Sequence, residues 1–302
     1  MPSFSRLIRF ESSGDGQIYF ADLGDSIAEP PALGVRVVGY RSLEDLNDGK
    51  SAATATVGKV LHFFCRSKNG ADSVAFQLLA PMPYGEAPIY CVGLNYRSHA
   101  AEGKLPVPKH PPLWTKPAAA LAAPDEQVLM NEFCASSYPD CEGELVFVTS
   151  RTCRDVGPAE AESCILGYTV GNDFSCRLWQ LSDRAGGQFY FANAFDKFAP
   201  MGPVLVNPER AALNKGVRLT TRVNGVAVQT MENCKADWIW SPAQILSWMS
   251  RGTTIPAGTA VMTGTPAGVG AFREPKQFLQ DGDVVEVEIS NIGVLRNQAL
   301  FV

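Results

Sequence analysis

The chain has 302 residues, 46% of them hydrophobic and 19% charged, and a formal net charge of −5. Those values describe a globular chain with enough material for one large or two modest domains, each able to pack a core without disulfide staples. No run of Lys and Arg offers a phosphate backbone a continuous positive surface, which argues against a nucleic-acid partner. No apolar stretch reaches the roughly 20 residues needed to cross a membrane.

The 27 glycines and 21 prolines predict many turns and short strands, and so exclude an all-helical fold. Eight cysteines, at 65, 91, 134, 141, 153, 164, 176 and 234, form no CxxC pair, and several sit in apolar runs. With no secretory leader before them, they are expected to be reduced, mostly buried thiols of a cytosolic protein.

Residues 7–23, "LIRFESSGDGQIYFADL", alternate apolar and polar about a glycine turn, the pattern of a hairpin. "LEDLNDGKSAATATVGKVLHFF" reads as helical in part and poorly ordered around its Gly and Ser. "LLAPMPYGEAPIYCVGLNY" then gathers three prolines and a glycine ahead of an abrupt strand, which places a domain boundary near residue 84. The expected organisation is a small N-terminal α+β domain, 1–84, followed by a larger domain, 85–302.

Beyond the boundary, strands are predicted at "PIYCVGL", "ELVFVTS", "ILGYTVGND", "PVLVN", "VRLTTRVNGVAVQT", "TAVMTGT" and "DVVEVEISNIGVLRNQ". Helices are predicted around 158–164 and over "PAQILSWMSRG", which opens at Ser241-Pro242 and closes on a glycine. Asn224-Gly225 marks a two-residue hairpin turn. The larger domain is therefore mainly β, curled into a sandwich or barrel, with some helix (α+β).

Within "DCEGELVFV", residues 140–148, Glu142 and Glu144 lie on one face of a strand with only Gly143 between them. Like charges so placed repel unless a cation joins them; the alternative is a solvated strand edge. "ILGYTVGNDFS" brings Asp173 to the end of another apolar strand. Three carboxylates without His or Cys describe a hard-cation site, Mg²⁺ or Mn²⁺ where coordination positions stay open, with structural Ca²⁺ as the competing reading.

Of the three histidines, His62, His99 and His110, only His99 has a carboxylate one helical turn away, at Glu102. Such a pair can orient the imidazole and move a proton, although this spacing is also common in plain surface contacts. "VMTGTPAGVG", residues 261–270, runs from a strand into a loop whose N–H groups could meet an anion.

Taken in order, "YCVGLNYRSHAAE", "DCEGELVFV", "YTVGNDFSCRLWQ", "FDKFAPMGPVLV", "RVNGVAVQ", "SRGTTIPAGTAVMTGTPAGVG" and "GDVVEVEISNIGVLRN" resemble the fumarylacetoacetate hydrolase superfamily over about residues 88–302. The resemblance implies a mixed β-roll around one divalent cation, in a homodimer, acting on small molecules. Members cleave C–C bonds beside 1,3-dicarbonyls, decarboxylate or tautomerise 2-oxo acids, or isomerise related compounds through a metal-stabilised enolate. Carried over, the metal ligands are Glu142, Glu144 and Asp173, and the catalytic pair is His99 and Glu102. Thr265 is then the residue that holds a substrate carboxylate, with Arg177 and Gln180 beside the pocket.

Two departures stand out. Asn193 occupies a position where relatives carry a lysine, with Lys197 as a candidate substitute, and Leu178 replaces a common acidic residue. The first suggests an alternative activity, an isomerase, cyclase or lyase with a less charged substrate. A non-catalytic, metal-stabilised scaffold is a further alternative.

Overall fold

The structure is a computed structural model, and it describes residues 4–25, 35–49, 53–58, 79–82 and 87–302. The boundary expected near residue 84 falls outside the described residues, as do His62 and Cys65.

Apolar runs closed by turn residues become the strands of a large sheet. In spatial order they are Arg36–Gly39, Ala53–Gly58, Arg6–Ser12, Ala199–Val206, Ile165–Asn172, Gly143–Thr149, Ala260–Met262, Ile89–Val92 and Leu113–Lys116. Ile18–Asp22 pairs with Arg6–Ser12 as the expected hairpin, and Leu121–Ala122 runs parallel to Ala199–Val206. A second sheet orders Val226–Met231, Leu219–Val223, Val284–Ile289, Gly293–Phe301 and Gln127–Met130. The fold is thus mixed and sheet-rich with short helices, as the sequence implies. Ala53–Gly58 is a strand, although the segment around it reads as helical or poorly ordered.

The predicted turns form as their residues require. Asn224 and Gly225 both take positive φ, 51° and 78°, which lets the flanking strands close tightly. The Pro242–Met249 helix starts at a capping box in which Ser241 and Gln244 satisfy each other's N–H groups.

Gly143–Thr149 is buried along its whole length because both of its faces are covered. Leu145 and Phe147 pack with Leu219, Val285, Val287 and Leu295 of the second sheet, whereas Val146 and Val148 pack with Leu7, Met201, Leu205 and Met262 on the opposite side. Gly143 belongs to the first face. A methyl group there would collide with the Thr221 hydroxyl and crowd Val287 and Leu219 at 3.0 and 3.2 Å. The close approach that this glycine permits is therefore to the second sheet, while Glu142 and Glu144 point to the other side.

Candidate metal and proton-transfer site

Antiparallel pairing sets Gly143 opposite Asn172, so Glu142 and Glu144 at the head of one strand meet Asp173 just past the tail of its neighbour. The Asp173 N–H donates to the Glu142 carbonyl at 2.9 Å, closing this corner. Ligand oxygens of Glu142, Glu144 and Asp173 all lie within 4.8 Å of one another. The three residues are buried, at 7%, 1% and 0% exposure.

Burial raises the Glu144 carboxyl well above the usual carboxylate range, and the charges of Asp173 and Glu142 add to the effect. Burial likewise pushes Asp173 up to about 6, with Lys116 opposing and Glu142 reinforcing. Asp173 Oδ2 is buried without a hydrogen-bond partner among the described residues. A divalent cation fits this set on all three counts: the donors are hard oxygens, one lone-pair atom is orphaned, and mutual repulsion needs a counter-charge.

Lys116, which pattern reading of the sequence passed over, supplies one positive charge beside the trio. It ends the Leu113–Lys116 strand at 0% exposure. Its Nζ lies 2.6 Å from Asp173 Oδ1 and donates to the carbonyls of Phe174, Asn193 and Phe198 at 2.9 to 3.0 Å. Every proton of this buried ammonium therefore has an acceptor.

Arg177 provides the second cation, from the short Arg177–Gln180 helix. Its Nε donates to Asp140 at 2.8 Å, one terminal nitrogen to Glu142 at 2.6 Å and the other to Gln180 Oε1 at 3.1 Å. Burial disfavours the guanidinium charge, but Glu142 and Asp140 outweigh that and hold it protonated. Four carboxylates, those of Asp140, Glu142, Glu144 and Asp173, thus face two cations, a formal surplus of two negative charges that one dication cancels.

Asn193 is fully buried beside this network. Its Nδ2 donates to the Phe189 carbonyl at 2.7 Å, its Oδ1 accepts from Ser175 Oγ, and its own carbonyl receives Lys116. Lys197 turns away, pairing with Glu126 at 3.1 Å.

The loop from Thr263 to Gly270 joins the carboxylates to the histidine. The Gly264 N–H donates to Glu144 Oε2 at 2.7 Å and the Gly268 N–H to Glu102 Oε2 at 2.8 Å. Four residues of chain span about 14 Å at most, which bounds the separation of the two amide nitrogens. Glu102 Oε1 in turn holds His99 Nδ1 at 2.7 Å, one turn back on the Arg97–Glu102 helix. A carboxylate only accepts, so in the neutral imidazole Nδ1 carries the proton and Nε2 the lone pair.

Thr265 donates its hydroxyl proton to the Gly143 carbonyl at 2.9 Å and accepts from Gln229 Nε2 at 2.8 Å. Gln229, buried on the Val226–Met231 strand, also accepts the Gly143 N–H at 2.9 Å. This glutamine stitches the loop to the carboxylate strand, and nothing in its local sequence marks it out. All nine candidate residues are therefore placed: Glu142, Glu144, Asp173, Arg177, Gln180 and Asn193 around the carboxylates, with Thr265, His99 and Glu102 tied to them by the loop.

Residues 88–299 match the family described as Fumarylacetoacetate (FAA) hydrolase C-terminal. The chain is 33% identical to the protein named oxaloacetate tautomerase fahd2, mitochondrial, of Xenopus laevis, across 97% of its own length and 89% of that relative's. It is 40% identical to an uncharacterized protein of Archaeoglobus fulgidus over 72% of this chain and 80% of that one. Among solved structures, the 2-hydroxyhepta-2,4-diene-1,7-dioate isomerase of Mycobacterium marinum superposes with a TM-score of 0.72 at 31% identity, covering 98% of each chain. The fumarylacetoacetate hydrolase of Exiguobacterium antarcticum gives 0.74 at 28% identity, over 99% of this chain and 100% of that one.

Proposed function

The chain belongs to the fumarylacetoacetate hydrolase family, and from that premise we propose a divalent-cation-dependent enzyme that acts on a 2-oxo acid or 1,3-dicarbonyl through its enolate. Glu142, Glu144 and Asp173 hold the cation, Mg²⁺ or Mn²⁺ in this reading. When bound, the cation supplies Lewis-acid polarisation of neighbouring substrate oxygens.

The residues of the chain do the rest. His99 Nε2, its lone pair fixed by the Glu102 contact at Nδ1, takes a proton from carbon or from water and returns it. Arg177 has five N–H donors, of which three are committed in the contacts above, leaving two for a substrate carboxylate. Gln180 steadies that guanidinium. Thr265 joins the substrate carboxylate once its proton leaves the Gly143 carbonyl. Asn193 acts by holding Ser175 and offering its carbonyl to Lys116, which keeps the ammonium against Asp173.

Keto–enol tautomerisation, decarboxylation and C–C hydrolysis all pass through an enolate, and the family's named relatives include a tautomerase, an isomerase and a hydrolase. Tautomerisation demands least, because a single base on one side of the substrate completes it. The homodimer implied by the family resemblance forms part of the proposal and is tested by sedimentation.

A single observation supports this reading best: a buried carboxylate trio with an orphaned oxygen, wired through one loop to an oriented histidine. The test follows the enol absorbance of oxaloacetate, and CO₂ release from it, with protein stripped by chelator and then reloaded. Turnover lost on stripping and restored by Mg²⁺ or Mn²⁺ is expected. Full turnover by metal-free protein would sink the proposal.

A further inference from the structure

Asp140 heads the same acidic stretch as Glu142, but its carboxylate plays a different part. It is 3% exposed and contributes no oxygen to the trio. Its Oδ2 accepts from Arg177 Nε at 2.8 Å and from the Ala271 N–H at 3.0 Å; its Oδ1 accepts from the Gly270 N–H at 3.1 Å and from its neighbour Cys141 at 2.9 Å. Gly270 has no room for a methyl group, which would crowd Asp140 Oδ1 at 2.7 Å, so the backbone lies directly on this carboxylate.

Two chains of contact leave Asp140. One runs through Arg177 to Glu142. The other runs through residues 270 and 271 into the loop whose Gly268 N–H fixes Glu102, and whose Phe272 ring lies 5.6 Å from the His99 ring.

We propose that Asp140 is a positioning residue that sets both halves of the site at once: it shares Arg177 so that Glu142 stays available to the cation, and it seats the 268–272 loop under Glu102. The physical basis is competition for one guanidinium. Arg177 divides its donors between two carboxylates, and while Asp140 holds Nε, only one terminal nitrogen reaches Glu142. Without the Asp140 charge, the fork turns to its remaining anionic partner and engages Glu142 with two parallel bonds, withdrawing the oxygen a cation needs. The Gly270 and Ala271 N–H groups lose their acceptor in the same step, and the loop loosens.

The cation-binding half rests on the function proposed above; the loop half does not, and the experiment separates them. Asp140→Asn keeps the shape and loses the charge. In metal-free protein, hydrogen exchange at the amides of Gly268, Gly270 and Ala271 should accelerate about 10-fold or more, as expected where a charged acceptor is removed. Mn²⁺ titration should show affinity about 10-fold or more weaker. Arg177→Lys, a single point of charge that cannot engage Glu142 with two parallel bonds, should keep Mn²⁺ affinity at or above the native value while leaving loop exchange as in the native protein.

Exchange and Mn²⁺ affinity both within about twofold of native in folded Asp140→Asn would overturn the proposal. Should that variant fail to fold, Mn²⁺ affinity about 10-fold or more below native in Arg177→Lys overturns it instead. A native protein that takes up no Mn²⁺ would defeat the proposed function, yet the exchange rates in Asp140→Asn would still decide the role of Asp140.

Discussion

Asp173 and Glu144 carry the clearest consequence at the level of single residues. Burial lifts both carboxyls above their unfolded values, Asp173 to about 6. An acid whose folded pKa is raised binds its proton more tightly in the folded state. For the metal-free protein this contribution to stability is therefore present at low pH and is lost as pH rises through about 6. A cation acts in the opposite sense, because it binds only the deprotonated carboxylates and competes with protons. The rise in melting temperature on adding Mg²⁺ or Mn²⁺ should accordingly be large at pH 8 and shrink steadily below pH 6; an equal rise at both pH values would contradict the assignment. Glu144→Gln removes one of the repelling charges yet can still accept the Gly264 N–H. It should leave metal-free stability equal or higher and abolish the cation-dependent rise, measured by calorimetry with and without metal.

At the scale of elements, the Gly143–Thr149 strand shows how a backbone constraint serves chemistry. Gly143 is pressed against the second sheet so that the flanking glutamates can turn away from it, and Gly143→Ala drives a methyl group into Thr221, Val287 and Leu219. Overpacking of this kind costs about 1 to 3 kcal/mol. Urea denaturation should register that loss, and Mn²⁺ affinity should fall as the strand shifts. The same strand also explains what could be read in advance. "ELVFVTS" and "ILGYTVGND" were legible as strands because they are continuous apolar runs, the first opening and the second closing on an acid, and together they bring Glu142, Glu144 and Asp173 into one corner. Lys116 was not legible, because three of its four acceptors are main-chain carbonyls at positions 174, 193 and 198, which carry no residue-type signature. Gln229 and Asp140 escaped for a related reason: their partners are distant in the chain, the Gly143 N–H, the Thr265 hydroxyl and the Pro266 carbonyl for the glutamine, and the Gly270 and Ala271 N–H groups and an arginine 37 positions away for the aspartate. Leu43–Asn47 is the helical part that the segment "LEDLNDGKSAATATVGKVLHFF" suggests, whereas the Ala53–Gly58 strand is hard to read because its alanines give no bulky apolar alternation.

For the molecule as a whole, the N-terminal strands cover the core without adding to the site. Arg6–Ser12 pairs with the long Ala199–Val206 strand, Arg6 opposite Val206 and Leu7 opposite Leu205. Phe4, Leu7 and Phe20 are buried in the same cluster as Met201, Leu205, Val146 and Val148. Among the described residues, no ligand of the carboxylate corner and no partner of His99 comes from before residue 87. A chain beginning at residue 87 would thus keep every proposed site residue but expose one edge of the Ala199–Val206 strand and the apolar face behind Glu144. Each large side chain removed from that cluster withdraws about 1.5 to 3 kcal/mol of burial, against a total stability of about 5 to 15 kcal/mol for a typical domain. The shortened protein should therefore melt at least about 10 °C lower and associate through its open strand edge. Whatever fraction stays folded in the cold should still take up Mn²⁺ with native affinity, as read by titration below its melting range. Native thermal stability in the shortened chain would show that the N-terminal strands are not part of the core. A folded but metal-blind fragment would show that they help shape the site.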